Sequence, residues 1–155
     1  LDEPRLVERD REYLLVSDIS AGSERKAAVE IAEHVRMQEK YHDTVGAVGS
    51  VYLGEDMDRG IYDRYVKVYT RLDKKTASRR VQSRPEGVYV ELYSRGHLWD
   101  MEKLYRLISA FAGERGIRLG QMWYEDLMLD EPTVKAYEQY TVKVMVPAER
   151  KAINP

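Results

Sequence analysis

The chain contains no cysteine, so neither a disulfide nor a thiolate metal site can form. Histidine is almost as scarce. His34, His42 and His97 show no HExxH-type spacing, so no metal and no other cofactor is expected. No apolar run approaches the ~18 residues that a membrane-spanning helix needs. No signal peptide leads the sequence, so the expectation is a cytoplasmic protein with no membrane partner. Net charge is −2, which excludes the broad positive field of a nucleic-acid binder, so these residues themselves are not expected to hold DNA. Phenylalanine occurs once, against twelve tyrosines and two tryptophans.

What is present is a globular composition. Hydrophobic residues make up 43% of 155 positions and charged residues 34%, enough for one domain with a packed core. The tyrosine excess has two readings. A tyrosine offers a flat apolar face with a polar tip, which suits a partly wet cavity. Strands also favour tyrosine for ordinary packing. Residues 1–10, "LDEPRLVERD", are charged and aperiodic, and read as a linker or cut point from a preceding domain. Residues 149–155 read as a tail, leaving 11–148 as the domain.

The domain is doubled. "IYDRYVKVY" (61–69) is echoed by "AYEQYTVKVMV" (136–146), so Tyr62 and Tyr65 recur as Tyr137 and Tyr140. Gly22 and Gly96 precede the two helical segments, and the "VG" at 45–46 recurs as the "LG" at 119–120. Each half reads strand, helix, strand, strand. In the first, 12–20 is a strand. Ser23 caps a helix to about Tyr41, with Ala28, Ile31, Ala32 and Val35 as its packing face. Residues 47–54 and 63–72 are strands joined by the turn "EDMDRG". In the second half, 87–94 is a strand. Asp100 caps a helix whose face is Met101, Leu104, Tyr105, Ile108, Phe111 and Ala112, and Gly116 ends it. Residues 121–129 and 140–147 are strands. The basic segment 73–86 reads as a solvated crossover loop, with a basic partner-binding patch as the alternative. The expected fold is α+β: two pseudo-symmetric units forming an antiparallel sheet, with two helices on it and a ligand cleft along the pseudo-twofold axis.

The strand "MWYEDLML" (122–129) poses the chemical question, because Glu125 and Asp126 point to opposite faces. A carboxylate against apolar walls pays desolvation, and a lipophilic cation repays it. The competing reading makes Glu125 one partner of a structural ion pair, or sets it at a wet edge. With an offset of 74, its counterpart in the first half is Val51, so the fold does not require an acid there. Asp126 and Asp130 read as outward or turn residues. Trp123 shares a face with Glu125, as cleft wall or as core. Tyr65 and Tyr69 share a face about Lys67, and Tyr89 and Tyr93 share one about Glu91. These tyrosines line either the cleft or the solvent face of the sheet. Tyr105 points its hydroxyl towards the cleft or packs in the core.

One resemblance follows from "RPEGVYVELYSRGHLWDMEKLYRLISAFAGERGIRLGQMWYEDLMLDEPTVKAYEQYTVKVMVP" (84–147). The ordered set Pro85, Gly87, Gly96, Tyr105, Gly120, Tyr124, Glu125, Asp130, Tyr140 and Pro147 resembles the GyrI-like domain. This is the effector-binding domain of multidrug-responsive bacterial regulators of the MerR and AraC classes. Leu98, with Trp99 beside it, and Leu127 depart from aromatic positions of that pattern, which bears on pocket shape. The first half matches mainly in the order of its elements. The resemblance implies a cleft for lipophilic, often cationic, small molecules with the glutamate at Glu125 inside it. It also implies DNA contact only through a separate helix-turn-helix domain. Some relatives of this type imply other functions instead: hydrolysis of reactive small molecules with the glutamate as general base, or stand-alone protein binding.

Overall fold

The structure, a computed structural model, describes residues 2–20, 22–95, 100–129 and 140–150. In chain order these form β1 (Arg5–Arg9), β2 (Glu12–Asp18), α1 (Glu24–Gln38), β3 (Thr44–Leu53), α2 (Gly54–Asp58), β4 (Tyr65–Leu72), β5 (Val81–Arg84), β6 (Gly87–Arg95), α3 (Met101–Glu114), β7 (Ile117–Leu119), β8 (Met122–Leu129) and β9 (Tyr140–Arg150). Gly96, Asp130 and Tyr137, which carried part of the sequence pattern, lie outside the described residues, as do His97, Leu98 and Trp99. No helix among the described residues is long and apolar enough to cross a membrane.

The strands make one curled antiparallel sheet in the order β1-β6-β9-β8-β3-β4-β2-β5, with β7 added to β9. Read outward from its middle, each half runs second strand, third strand, first strand. The registers repeat as well. Leu15 pairs Thr70 as Val90 pairs Val146, and Gly49 pairs Tyr69 as Tyr124 pairs Met145. The two units join where β3 pairs β8. There Ser50 pairs Glu125, and the two stand 75 positions apart, as do Leu15 and Val90. Glu125 therefore lies on the pseudo-twofold axis, opposite its own counterpart. That counterpart is Ser50 rather than Val51, because the register offset is 75. Neither residue is an acid, so the carboxylate belongs to one half only.

Two segments taken for connections turn out to be strands. Residues 5–9, inside the expected linker, form β1 against β6, and 81–84, inside the expected loop, form β5 against β2. Each strand precedes one unit and pairs with the other. Arg9 opposite Gly87 and Arg84 opposite Glu12 repeat the same register. Both are edge strands, where charged residues guard the free edge and blur the alternation that marks a central strand. The "EDMDRG" turn begins as helix α2, with Asp56 and Met57 buried.

The caps form as the sequence indicates. Ser23 Oγ accepts from the Lys26 amide at 3.2 Å, and an Asp100 carboxylate oxygen accepts from the Glu102 amide at 3.0 Å. The left-handed Gly116, at φ 62°, follows α3. α3 packs Met101, Leu104, Ile108 and Ala112 on the sheet as expected. α1 behaves differently. Ala28, Ala32 and Val35 are exposed, Ile31 is half-buried, and His34 is the one buried residue of the helix. A polar chain holds it. Ser17 Oγ lies 2.7 Å from His34 Nδ1, and His34 Nε2 lies 2.9 Å from Thr70 Oγ1. The Thr70 hydroxyl donates to Gln38 Oε1 at 2.5 Å. Thr70 thus accepts from His34, which places the imidazole proton on Nε2. Burial, then the charge of Arg80, holds the His34 pKa below its usual value.

Both faces of the sheet are covered. On the helix side Tyr52, Met57, Leu92, Trp123 and Val144 pack with α3. On the other side Leu14, Val16, Val51, Tyr69, Tyr89, Tyr124 and Met145 form a second cluster, closed by Val7 of β1. Gly49 is needed at the seam. A Cβ there would stand 2.5 Å from Tyr69 Cζ and 2.7 Å from the Glu125 carbonyl oxygen. Gly49→Ala is therefore expected to cost about 1–3 kcal/mol, as overpacking does. A thermal melt unchanged from the parent would contradict this.

Candidate functional site

Strand alternation and pairing divide the candidate residues between the two faces. Glu125 sits two residues beyond Trp123 on β8, and both point to the helix side. Their exposures are 7% and 2%, so the carboxylate is set in the wall of a core and not on a wet edge. Tyr52 of β3 pairs Trp123, and its ring meets that of Tyr65 at 6.1 Å. From α3, the Tyr105 ring lies 5.4 Å from Trp123, and the Tyr62 ring meets Tyr105 at 5.7 Å, tilted by 57°. The Tyr105 hydroxyl donates to the Asp58 carboxylate at the end of α2. Burial, then the Asp58 bond, raises the Tyr105 pKa. Glu125 thus shares a face with Trp123, and ring contacts link Trp123 to Tyr105 and Tyr62, and Tyr52, which pairs Trp123, to Tyr65.

Tyr69, Tyr89 and Tyr93 are not on this face. Tyr65 and Tyr69 part company because a bulge shifts the β3–β4 register between Val51 and Tyr52. One extra residue in β4 flips the alternation, so Tyr65 turns to the helices and Tyr69 away from them. Tyr89 is buried on the far face and donates to the Pro85 carbonyl. Tyr93, half-buried, carries the guanidinium of Arg5 at 5.6 Å over its ring. Asp126 is also not an outward residue. It is 2% exposed and accepts from Arg84 at 3.2 and 3.3 Å, from the Tyr69 hydroxyl, and ion-pairs with Lys143 at 3.5 Å. The curl of the sheet makes both faces interior, so both carboxylates of "MWYEDLML" are buried, one in each core.

Two residues of the helix-side set escaped the sequence reading. Tyr52 carried a usable signal, since it alternates with Ser50 on a strand next to Trp123. Tyr62 was visible as a repeated tyrosine, yet without α2 nothing brought it to Tyr105. Among the described residues, no group of three or more His, Asp or Glu is placed to hold a metal ion.

The crystal structure of the EcmrR C-terminal domain superposes with a TM-score of 0.68 over 96% of this chain and 98% of that one, at 10% identity. The fold is GyrI-like. The EcmrR–DNA complex in EcmrR-RPo, determined by cryo-EM, matches this GyrI-like chain with a TM-score of 0.66 over 58% of its own chain. A hydrolase from Listeria innocua gives 0.57 at 12% identity, over 96% of this chain and 92% of that one. In sequence, the chain is 27% identical over 124 residues to the multidrug-efflux transporter 2 regulator of Bacillus subtilis (strain 168). That match covers 79% of this chain and 45% of the relative, so the chain spans less than half the relative's length. No family model matches the chain.

Proposed function

We propose that this chain is the effector-binding domain of a bacterial transcriptional regulator of the MerR type. Its ligand is a lipophilic cation, held between α1 and α3 against Glu125. The observation that carries the reading is the place of Glu125: one buried carboxylate on the pseudo-twofold axis, absent from the equivalent position, on the face of Trp123, whose ring meets that of Tyr105 and whose strand partner Tyr52 meets Tyr65. A cation entering this site gains a charge pair at low dielectric and buries its own apolar surface. Aromatic rings add about 0.5–2 kcal/mol each where they face the charge. Charge and lipophilicity are selected more strongly than shape, which suits a sensor of many compounds. The regulator named among the relatives supports this reading. DNA contact then falls to a separate helix-turn-helix domain.

The test is a fluorescence titration of the tryptophans with a cationic dye and a neutral analogue of equal size. Micromolar binding of the cation is expected, with the neutral compound at least about ten-fold weaker, the equivalent of one desolvated charge contact. Equal affinities would defeat the charge argument. The fold is shared with a hydrolase, and the same titration addresses that reading: chemical turnover of a bound electrophile, lost with Glu125, would make the carboxylate a general base instead.

A further inference from the structure

Helix α1 carries an apolar stripe that the sheet does not cover. Ala28, Ile31, Ala32 and Val35 recur at helical spacing, yet the helix meets the sheet through the polar His34 chain rather than through them. Ala28 and Ile31, with Ala27, line one wall of a slot of about 540 Å³. Ile19, Val66 and Tyr65 also line it, together with Ser20, Ser23, Glu24, Asp63 and Arg64. Tyr65 belongs to two places at once. It lines this slot, and its ring packs on Tyr52, which pairs Trp123. The slot therefore adjoins the aromatic set around Glu125. In the sheet, Ser50 pairs both Glu125 and Val68, so β4 lies two strands from the carboxylate, about 10 Å away.

The two sides of the site differ in chemistry, although the fold is doubled. The α3 side offers rings and a carboxylate. The α1 side offers small aliphatic side chains, with serine and charged groups beside them, along an open trough. We propose that the effector is an alkyl-tailed cation, with its charged head against Glu125 and its hydrocarbon tail in the slot between α1 and β4. This rests on the reading of Glu125 as a cation site and adds the shape of the rest of the ligand. The acid at one end and the apolar trough at the other match the two ends of such an amphiphile. A tail along Ala27, Ala28 and Ile31 covers part of the apolar surface that α1 leaves in water.

The experiment is calorimetric titration of the chain with alkyltrimethylammonium ions from butyl to dodecyl, each below its micelle-forming concentration, beside the compact cationic dye. Affinity is expected to rise by up to about four-fold for each methylene buried. Ala28→Gln places a polar side chain in the slot at an exposed helix position, where the fold tolerates it. This variant is expected to flatten the chain-length series while dye affinity stays within about two-fold, as for a change that touches one subsite. A flat series in the parent, with the dye still bound, overturns the tail proposal and leaves the cation site standing. A series that stays steep in Ala28→Gln also overturns it, since the tail then lies elsewhere. Failure of the dye to bind at all removes the cation site and the tail proposal together.

Discussion

Asp126→Asn is expected to destabilise the protein by about 3–5 kcal/mol at neutral pH, the cost of stranding a buried charge. The charge left behind is Arg84, which is 1% exposed and lies over the Tyr69 and Tyr124 rings at 5.6 and 5.1 Å. Its other acid, Glu12 at 3.0 Å, is partly in solvent and compensates poorly. Lys143 also loses its buried partner. Burial pushes the Asp126 carboxyl up, but the Arg84 charge and hydrogen bonds, the Tyr69 hydroxyl and Lys143 outweigh it, so its pKa lies below the usual carboxylate value. The unfolded chain therefore binds the proton first as pH falls. The Asp126 contribution is complete above the ordinary carboxylate pKa of about 3.9 and is lost as pH drops through that value towards the folded one. Denaturant melts from pH 7 down to pH 3 should show the parent losing stability at the acid end and the variant losing less there. A neutral-pH loss below about 1 kcal/mol would mean that the network is as dispensable as a surface pair.

The same cluster explains what the sequence reveals and what it hides. Doubling, helix α3 and the central strands are legible because repetition and period survive in the letters, as in the Tyr62/Tyr137 echo and the Met101 to Ala112 stripe. Burial on both faces of β8 is not legible. It depends on the curl of the whole sheet, and a strand with Glu125 and Asp126 side by side reads as having one wet face. The Tyr65 and Tyr69 pairing fails for a local reason: one bulged residue in β4 reverses every later side chain, and no residue type announces it. The α1 stripe fails for a third. Helical spacing tells which residues share a face, but not whether that face meets the sheet or an open cleft. The burial of Glu125 beside Trp123 was open to the sequence because an acid amid Trp123 and Leu127 is costly and stands out, whereas Tyr52 and Tyr62 reach Trp123 and Tyr105 only through strand pairing and α2.

Glu125→Gln separates the two uses a buried carboxylate can have. The substitution keeps size and hydrogen-bonding atoms and removes the charge. If Glu125 holds a cation between α1 and α3, the variant loses about 1–3 kcal/mol of binding to a cationic dye, the worth of a charge-assisted contact out of water. Binding of the neutral analogue should hardly change. The fold should be as stable as the parent or slightly more so, since Glu125, 7% exposed, no longer pays for burying a charge. If Glu125 instead anchors a basic residue, the outcome reverses: the melting temperature falls by the equivalent of a few kcal/mol while dye affinity stays the same. Asp126 supplies the control, one residue along the same strand and on the other face, where Arg84 and Lys143 make the structural outcome the expected one. The two neighbouring substitutions should therefore give opposite signatures, binding loss without unfolding at Glu125 and unfolding without a specific binding loss at Asp126. If both give the second signature, the helix-side carboxylate is scaffold and the ligand site lies elsewhere.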